Sequence, residues 1–127
     1  MKTLKIGIAT VQEYKERTMA IARGELTPSP QDPKIWFTSI ESAAKLLSQS
    51  NRELLALIAR EKPDSLAELA ARSGRAKSNL SRTLKTMERY GLVRLQKGPR
   101  GTVVPRVAYK DIRLDVTLPS SEGALAA

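Results

Sequence analysis

A run of helix and strand signals that begins between Ser65 and Leu95 and continues into a hairpin constrains the fold of this chain more than any other feature. Ser65, followed three residues later by Glu68, has the pattern that begins a capped helix, and Gly74 suits the turn after a short helix. A second apolar stripe with helical spacing runs on to Gly91. Two strand-like segments, LVRLQ and TVVPRVAY, then flank KGPRG, whose glycines and proline favour a hairpin turn. The segment therefore predicts two short helices, a tight turn and a β-hairpin, in that order.

Basic residues concentrate in the same segment. From Arg72 to Lys110 the chain has 11 Lys and Arg residues against one acid, Glu88. Residues 1–71 carry 10 basic and 9 acidic side chains, and residues 111–127 carry one and three. The overall formal charge of +9 therefore arises almost entirely from residues 72–110, which hold the second predicted helix and the hairpin. Because the surplus is local and coincides with this architecture, it favours binding to nucleic acid.

The composition argues against several other function classes. A chain of 127 residues has room for one domain with a modest core and an arm or two. Its lack of Cys and His removes thiolate metal sites, disulfides and the commonest general base, and no glycine-rich phosphate loop follows a strand. Its apolar runs are far shorter than the roughly 20 residues of a membrane helix. We therefore expect a cytoplasmic protein that is not an enzyme, does not enter a membrane and needs no cofactor or metal.

The N-terminal residues 1–26 predict a strand-helix arm. Apolar residues alternate from Leu4 to Ile8, which is typical of a strand, and Thr10 with Glu13 forms a capping box at the start of a helix. The residues leave three roles open for this arm: closing the domain, forming a dimer contact, or binding a partner protein.

The next segment is predicted to be a linker, and the C-terminal end a strand followed by a tail. Residues 27–37 are a proline-rich linker that ends in Trp36 and Phe37, which point to opposite faces if they lie on a strand. Residues 111–118 alternate apolar and polar side chains, and we expect this strand to pair with the N-terminal one. Residues 119–127 have little apolar surface to bury and are expected to be disordered.

Residues 38–110 are expected to form the main domain. Two further capping boxes place helix starts at Thr38 with Glu41 and at Ser50 with Glu53. Each precedes an apolar run, so the domain should hold two helices before the one that begins at Ser65.

The helix that ends at Gly91 has residue types suited to contacting base edges. A helix in the major groove needs one buried face, supplied here by Leu80, Leu84 and Met87, and short polar or long cationic residues elsewhere. Asparagine can pair with adenine and arginine with guanine, whereas cations one turn later and in the hairpin suit phosphates. The residues expected to contact DNA are Arg75, Lys77, Ser78, Asn79, Ser81, Arg82, Lys85, Lys97 and Arg100.

The stretch SLAELAARSGRAKSNLSRTLKTMERYGLVRLQKGPRG resembles the winged helix-turn-helix of MarR-like transcriptional regulators. The resemblance implies an α+β winged helix-turn-helix, here with the N-terminal strand-helix arm and the C-terminal strand added. One departure is Ala76, which stands where relatives have a serine or threonine at the start of the contact helix. MarR proteins also have longer flanking helices that build their dimer, in place of the strands found here.

The flanking segments PSPQDPKIWFTSIESAAKLLS and VPRVAYKDIRLDV are similar to a smaller group, the DNA-binding antitoxins encoded beside a toxin. This closer resemblance implies an autorepressor of its own promoter that also binds and neutralises a toxin protein. Because one winged helix reads only a short half-site of double-stranded DNA, we expect a homodimer.

Two other functions remain open from the residues. A winged helix can serve as a protein-docking domain, which predicts no preference among DNA sequences. A general or architectural nucleic-acid binder predicts equal, salt-dependent binding to all of them. The low aromatic content argues against stacking on single strands.

Overall fold

The computed structural model describes residues 2–118 and has an α+β fold, as expected. Its elements are β1 (Lys2–Ile8), α1 (Val11–Ala22), β2 (Ile35–Phe37), α2 (Ile40–Leu46), α3 (Gln49–Glu61), α4 (Leu66–Ser73), α5 (Lys77–Tyr90), β3 (Arg94–Lys97), β4 (Val103–Arg106) and β5 (Tyr109–Val116). No helix within residues 2–118 is long and apolar enough to span a bilayer. The tail predicted to be disordered, residues 119–127, lies outside the described residues.

The contacts divide the chain into two compact units. The first comprises Ala44–Asp111 with the beginning of β1, and the second comprises Leu4–Ala43 with the chain from Ile112 onward.

The first unit contains helices α3, α4 and α5 and the antiparallel β3–β4 hairpin. Helix α4 contacts α3, α5 and β4, and α5 also contacts β3. The apolar stripes of these elements are buried, because each amphipathic helix can remove its apolar face from water only against the others. The buried apolar side chains are Leu54, Leu55, Ile58, Leu69, Leu80, Leu84, Met87, Leu92, Val93 and Val107.

The predicted ends of α4 and α5 are confirmed. The Ser65 hydroxyl accepts a hydrogen bond from the Glu68 amide at 3.0 Å, so Ser65 caps α4. Gly74 and Gly91 follow the two helices with φ of 74° and 81°, a left-handed conformation that glycine adopts without steric cost.

The predicted starts of α2 and α3 are wrong by one and two residues. Ser39, rather than Thr38, accepts the Ser42 amide at the start of α2. Ser48, rather than Ser50, accepts the Asn51 amide at the start of α3. In each case a neighbouring serine supplies the cap although no glutamate follows it three residues later.

The second unit is built on a three-stranded sheet in the order β2-β1-β5. Strands β1 and β2 run parallel, with Ile6 opposite Ile35 and Ile8 opposite Phe37, and α1 connects them. Strand β5 lies beside β1, which confirms the predicted pairing of the two terminal strands. Ile6, Ile35 and Phe37 are buried.

Trp36 and Phe37 point to opposite faces, as expected of neighbours on a strand. Phe37 is 1% exposed, whereas Trp36 is half-buried beneath α1. The Tyr14 ring lies edge-on at 6.0 Å between centroids, and the Arg17 guanidinium lies 5.2 Å from the Trp36 centroid, within cation–π range. Gly7 makes room for the indole, because a Cβ at that position would lie 2.5 Å from its Cζ3 atom.

Candidate nucleic-acid interface

Helix α5 separates its apolar and polar residues sharply. Leu80, Leu84 and Met87 are at most 1% exposed. At about 100° per residue, the direction opposite to this buried face is occupied by four residues spaced by three or four positions. They are Ser78, Arg82, Lys85 and Arg89, and all four are exposed. The helix is therefore fixed by its packing and presents a mainly cationic stripe to the solvent.

The remaining predicted contact residues of α5 lie on the two sides of this stripe. Asn79 lies on one side and is exposed, whereas Ser81 lies on the other side and is half-buried. Lys77 is exposed at the first position of the helix. Arg89 was not among the predicted contact residues, although its spacing from Arg82 and Lys85 could have indicated it.

The start of α5 has no side-chain cap, as the departure at Ala76 indicated. Ala76 has an extended conformation, with φ of −65° and ψ of 142°, and supplies no hydrogen-bond acceptor. At the start of α4 the Ser65 hydroxyl accepts a hydrogen bond from a backbone amide, and no side chain does so at the start of α5. Because unsatisfied amides and the helix dipole attract negative charge, the start of α5 is suited to an anion.

Most of the basic side chains in this segment are not neutralised by the protein. Of the 11 Lys and Arg residues between Arg72 and Lys110, only Arg72 and Arg106 form ion pairs within residues 2–118. Glu88 is the single carboxylate of residues 72–110, so this segment carries a net positive charge that favours a bound anion.

The structure places Arg75 differently from the other predicted contact residues. Its Nη2 atom donates to the Ser50 hydroxyl at 2.7 Å and to the Asn51 side-chain oxygen at 3.1 Å. The half-buried guanidinium thus ties the turn before α5 to the first turn of α3. It also lines an open cavity of about 260 Å³ between α3 and α4, together with Arg60 and Arg72. Neither partner of Arg75 is a carboxylate, so its positive charge is held in place without being neutralised.

Arg72, by contrast, is committed to the packing of α4 against α3. Its Nη1 and Nη2 atoms each donate at 2.6 Å, to Glu61 and to Glu68 respectively. The hydrogen bond from Arg72 is the main cause that lowers the pKa of the Glu61 carboxyl, with a smaller effect from Arg60. Arg72 therefore links α4 to α3, and two carboxylates neutralise its charge.

The β3–β4 hairpin ends in a tight, exposed tip. Its strands pair with Arg94 opposite Arg106 and Lys97 opposite Val103. The Gly98 amide donates to the Thr102 carbonyl at 2.8 Å, which closes the tip around a short 3-10 turn. Arg100, at the centre of this turn, is exposed and has φ of 60° and ψ of 29°. A non-glycine residue in this left-handed region is uncommon, and such strain tends to occur at functional positions.

Tyr109 fixes the chain as it leaves the hairpin. Its hydroxyl donates to the Leu92 carbonyl at 2.6 Å, close to the end of α5. Burial raises the pKa of the Tyr109 hydroxyl far above its usual range, because the phenolate would lose its hydration. The neutral tyrosine therefore anchors β5 to the segment that joins α5 to β3.

Within residues 2–118, no group of three or more acidic side chains could hold a metal ion. The arrangement of this region is suited to holding an extended anion on α5 and the hairpin.

The HVO_A0114 family model matches residues 46–114, which is more than half of the chain. The chain belongs to the HVO_A0114 family. In this HVO_A0114 member, the matched segment begins in α2 and ends within β5. It contains all nine predicted contact residues and the ion pairs that join α3 to α4. No curated protein and no solved structure matches the chain.

Proposed function

We propose that this protein is a sequence-specific DNA-binding transcriptional regulator, in which α3–α5 and the β3–β4 hairpin form a winged helix-turn-helix. The observation that carries the proposal is the exposed stripe of α5. Arg82, Lys85 and Arg89 lie opposite a fully buried apolar face, and none of them forms an ion pair within residues 2–118. This role is one of binding rather than catalysis.

Helix α5 acts as the recognition helix in this proposal. A helix with its side chains is about 10–12 Å across, which matches the roughly 12 Å width of the major groove. Asn79 and Arg82, near the start of the helix, contact base edges, where their side chains can form paired hydrogen bonds to adenine and guanine. Lys85 and Arg89 lie one and two turns further along and contact phosphates, which position the helix without reading sequence.

The hairpin acts as the wing. Lys97 and Arg100 lie at its exposed end, and the tip is closed by backbone hydrogen bonds rather than by apolar packing. Cationic side chains on such a projection contact either the phosphates or the adjacent minor groove. The uncapped start of α5 supplies a further site for a phosphate.

The first test is binding of the purified protein to DNA from its own upstream region, against a scrambled competitor. We expect a preference of a hundredfold or more at about 150 mM salt, since specific sites usually bind about 10³–10⁷ times more tightly than non-specific DNA. Arg82→Ala and Asn79→Ala should each cost about 1–3 kcal/mol and relax specificity at one base position. Lys97→Ala should weaken binding to all sequences alike.

A matched control is Lys15→Ala, which removes one positive charge from the exposed face of α1. It should leave the affinity nearly unchanged, because it lies outside the proposed interface. Equal losses for Lys15→Ala and Arg82→Ala would show that only the net charge matters. That result would contradict specific recognition and favour a general nucleic-acid binder. Absence of DNA binding at low salt would favour a docking domain instead.

The resemblance to antitoxins extends the proposal to autorepression in the cytoplasm, as a homodimer, and to a toxin encoded beside this chain. In and just after α1, the apolar side chains of Val11, Met19 and Leu26 are 65%, 53% and 41% exposed, which suits contact with a protein partner. Co-expression with the product of the neighbouring gene tests this extension. Val11→Asp with Met19→Asp should abolish co-purification and leave DNA binding intact. Unchanged co-purification would exclude this surface as the toxin site.

A further inference from the structure

Strand β5 combines an open edge with an unusual charge pattern. It is the last strand in the order β2-β1-β5, and within residues 2–118 no strand pairs with its other edge. Its apolar side chains are poorly covered, since Leu114 is 45% exposed and Val116 is 43% exposed. An edge strand with exposed backbone groups and exposed apolar side chains is suited to pairing with another strand.

The sequence of β5 is complementary to itself in one antiparallel register. When two copies are aligned with Leu114 facing Leu114, Arg113 of each copy faces Asp115 of the other. In the same register Ile112 faces Val116, so that apolar residues face apolar residues on the opposite side of the strand. Because the arrangement has two-fold symmetry, the Arg113–Asp115 and Ile112–Val116 pairs each occur twice, and the Leu114 pair lies on the axis.

Neighbouring symmetric registers lack this match. Centring the pair on Arg113 places the two arginines opposite each other and sets Asp111 against Asp115. Centring it on Asp115 places two carboxylates opposite each other and leaves Arg113 facing Thr117. Like charges directly opposite each other destabilise a strand pair, whereas opposite charges stabilise it. The charges of β5 therefore select the register centred on Leu114.

We propose that β5 pairs antiparallel with β5 of a second copy of this chain, in the register centred on Leu114. The two three-stranded sheets become one continuous six-stranded sheet in the order β2-β1-β5-β5-β1-β2. The contact is isologous, so it closes after two copies and leaves no open edge of β5 for further growth. This interface uses none of the residues proposed to contact DNA, and it stands whether or not the protein recognises a DNA sequence.

The charge pairs provide a decisive test. Arg113→Asp leaves carboxylates at positions 113 and 115 of each copy, and Asp115→Arg leaves guanidinium groups at the same two positions. Each variant alone should have a dimer dissociation constant about tenfold or more above that of the wild type, because both charge pairs become repulsive. An equimolar mixture should form a heterodimer, since every pair across the interface is then attractive. The double variant Arg113→Asp/Asp115→Arg should dimerise like the wild type.

The measurement is sedimentation velocity on the full chain over a range of concentrations, with far-ultraviolet circular dichroism of each variant to verify folding. Dimeric wild type, weakened single variants and a restored mixture are the expected results. A monomeric wild type would overturn the proposal. So would dimers of unchanged affinity in both single variants, which would point to another surface such as the α1 face. Association of the wild type beyond dimers would also contradict a closed two-fold contact.

Cysteine cross-linking provides a second test that does not depend on the charge variants being folded. The chain has no cysteine, so Leu114→Cys introduces a single thiol at the proposed two-fold axis. Oxidation should give a covalent dimer, because directly opposed residues in antiparallel strands have Cα atoms about 4.5–5.5 Å apart, within disulfide range. Ala71→Cys, exposed on α4, is the control and should give no covalent dimer under the same conditions. Equal cross-linking of the two variants would reject the register.

Discussion

Replacing Arg100 should change the stability of the protein and its affinity for DNA in opposite directions. Its backbone has φ of 60° and ψ of 29° at the exposed tip of the hairpin. A side chain in this left-handed conformation costs about 1–2 kcal/mol, because its Cβ approaches the following carbonyl oxygen. Glycine would relieve that cost and lose about 0.4–1 kcal/mol through the greater freedom of the unfolded chain. We therefore expect Arg100→Gly to raise the free energy of unfolding slightly, by up to about 1.6 kcal/mol.

The same substitution should weaken DNA binding. It removes one cation that no carboxylate neutralises within residues 2–118, and hence one phosphate contact of the proposed wing. The slope of log affinity against log salt should fall in magnitude by about 0.9. Urea unfolding measures the first effect, and DNA titrations at several salt concentrations measure the second.

Arg100→Lys is the control, because it keeps both the charge and the cost of the left-handed backbone. It should retain the stability and the salt slope of the wild type. A salt slope that is unchanged in Arg100→Gly would refute the contact of the wing with phosphate. A loss of more than about 1 kcal/mol in unfolding free energy would refute the reasoning about backbone strain.

Three further predictions concern stability and are measured by denaturant unfolding. Gly7→Ala should cost about 1–3 kcal/mol, because its new Cβ would meet the Trp36 ring at 2.5 Å; a neutral result would mean that the ring can move away. Tyr109→Phe should cost about 1 kcal/mol at neutral pH, since it removes the hydrogen bond to Leu92. Because the pKa of Tyr109 is raised in the folded state, its contribution is complete below about pH 10 and is lost as the pH rises further. The wild type should therefore lose its advantage over Tyr109→Phe in alkali, and a constant difference would contradict this assignment. Leu84→Asp should unfold the first unit by burying an unpaired charge, and a folded variant would show that this site is not core.

The helix boundaries show what local sequence can and cannot predict. Thr10 and Ser65 are caps as predicted, because each is the one hydroxyl residue available before its apolar run. At α3 the prediction fails because Ser48 and Ser50 could each cap the helix. Side-chain hydrogen bonds that the capping pattern does not include accompany the choice between them. The Asn51 and Arg52 side chains donate to the carbonyls of Leu46 and Leu47 at the end of α2, which leaves Ser48 as the cap.

The candidate interface was predictable in its position and less so in its details. Helical periodicity placed Ser78, Arg82 and Lys85 on one face, since the buried stripe that orients α5 is visible in the sequence. The role of Arg75 was not predictable, because its partners Ser50 and Asn51 are about 25 positions away and lie on another helix. The strain at Arg100 likewise depends on how the tip closes, which residue types alone do not determine.

The packing of Trp36 gives the protein a built-in optical reporter. It is the single tryptophan of the chain, and it lies in the second unit between Gly7, Tyr14 and Arg17. Its fluorescence therefore follows the melting of that unit alone, whereas circular dichroism at 222 nm is dominated by the helices of the first unit. Superimposable transitions by the two probes would mean that both units unfold cooperatively, and separated transitions would reveal a partly folded intermediate in which only one of them persists.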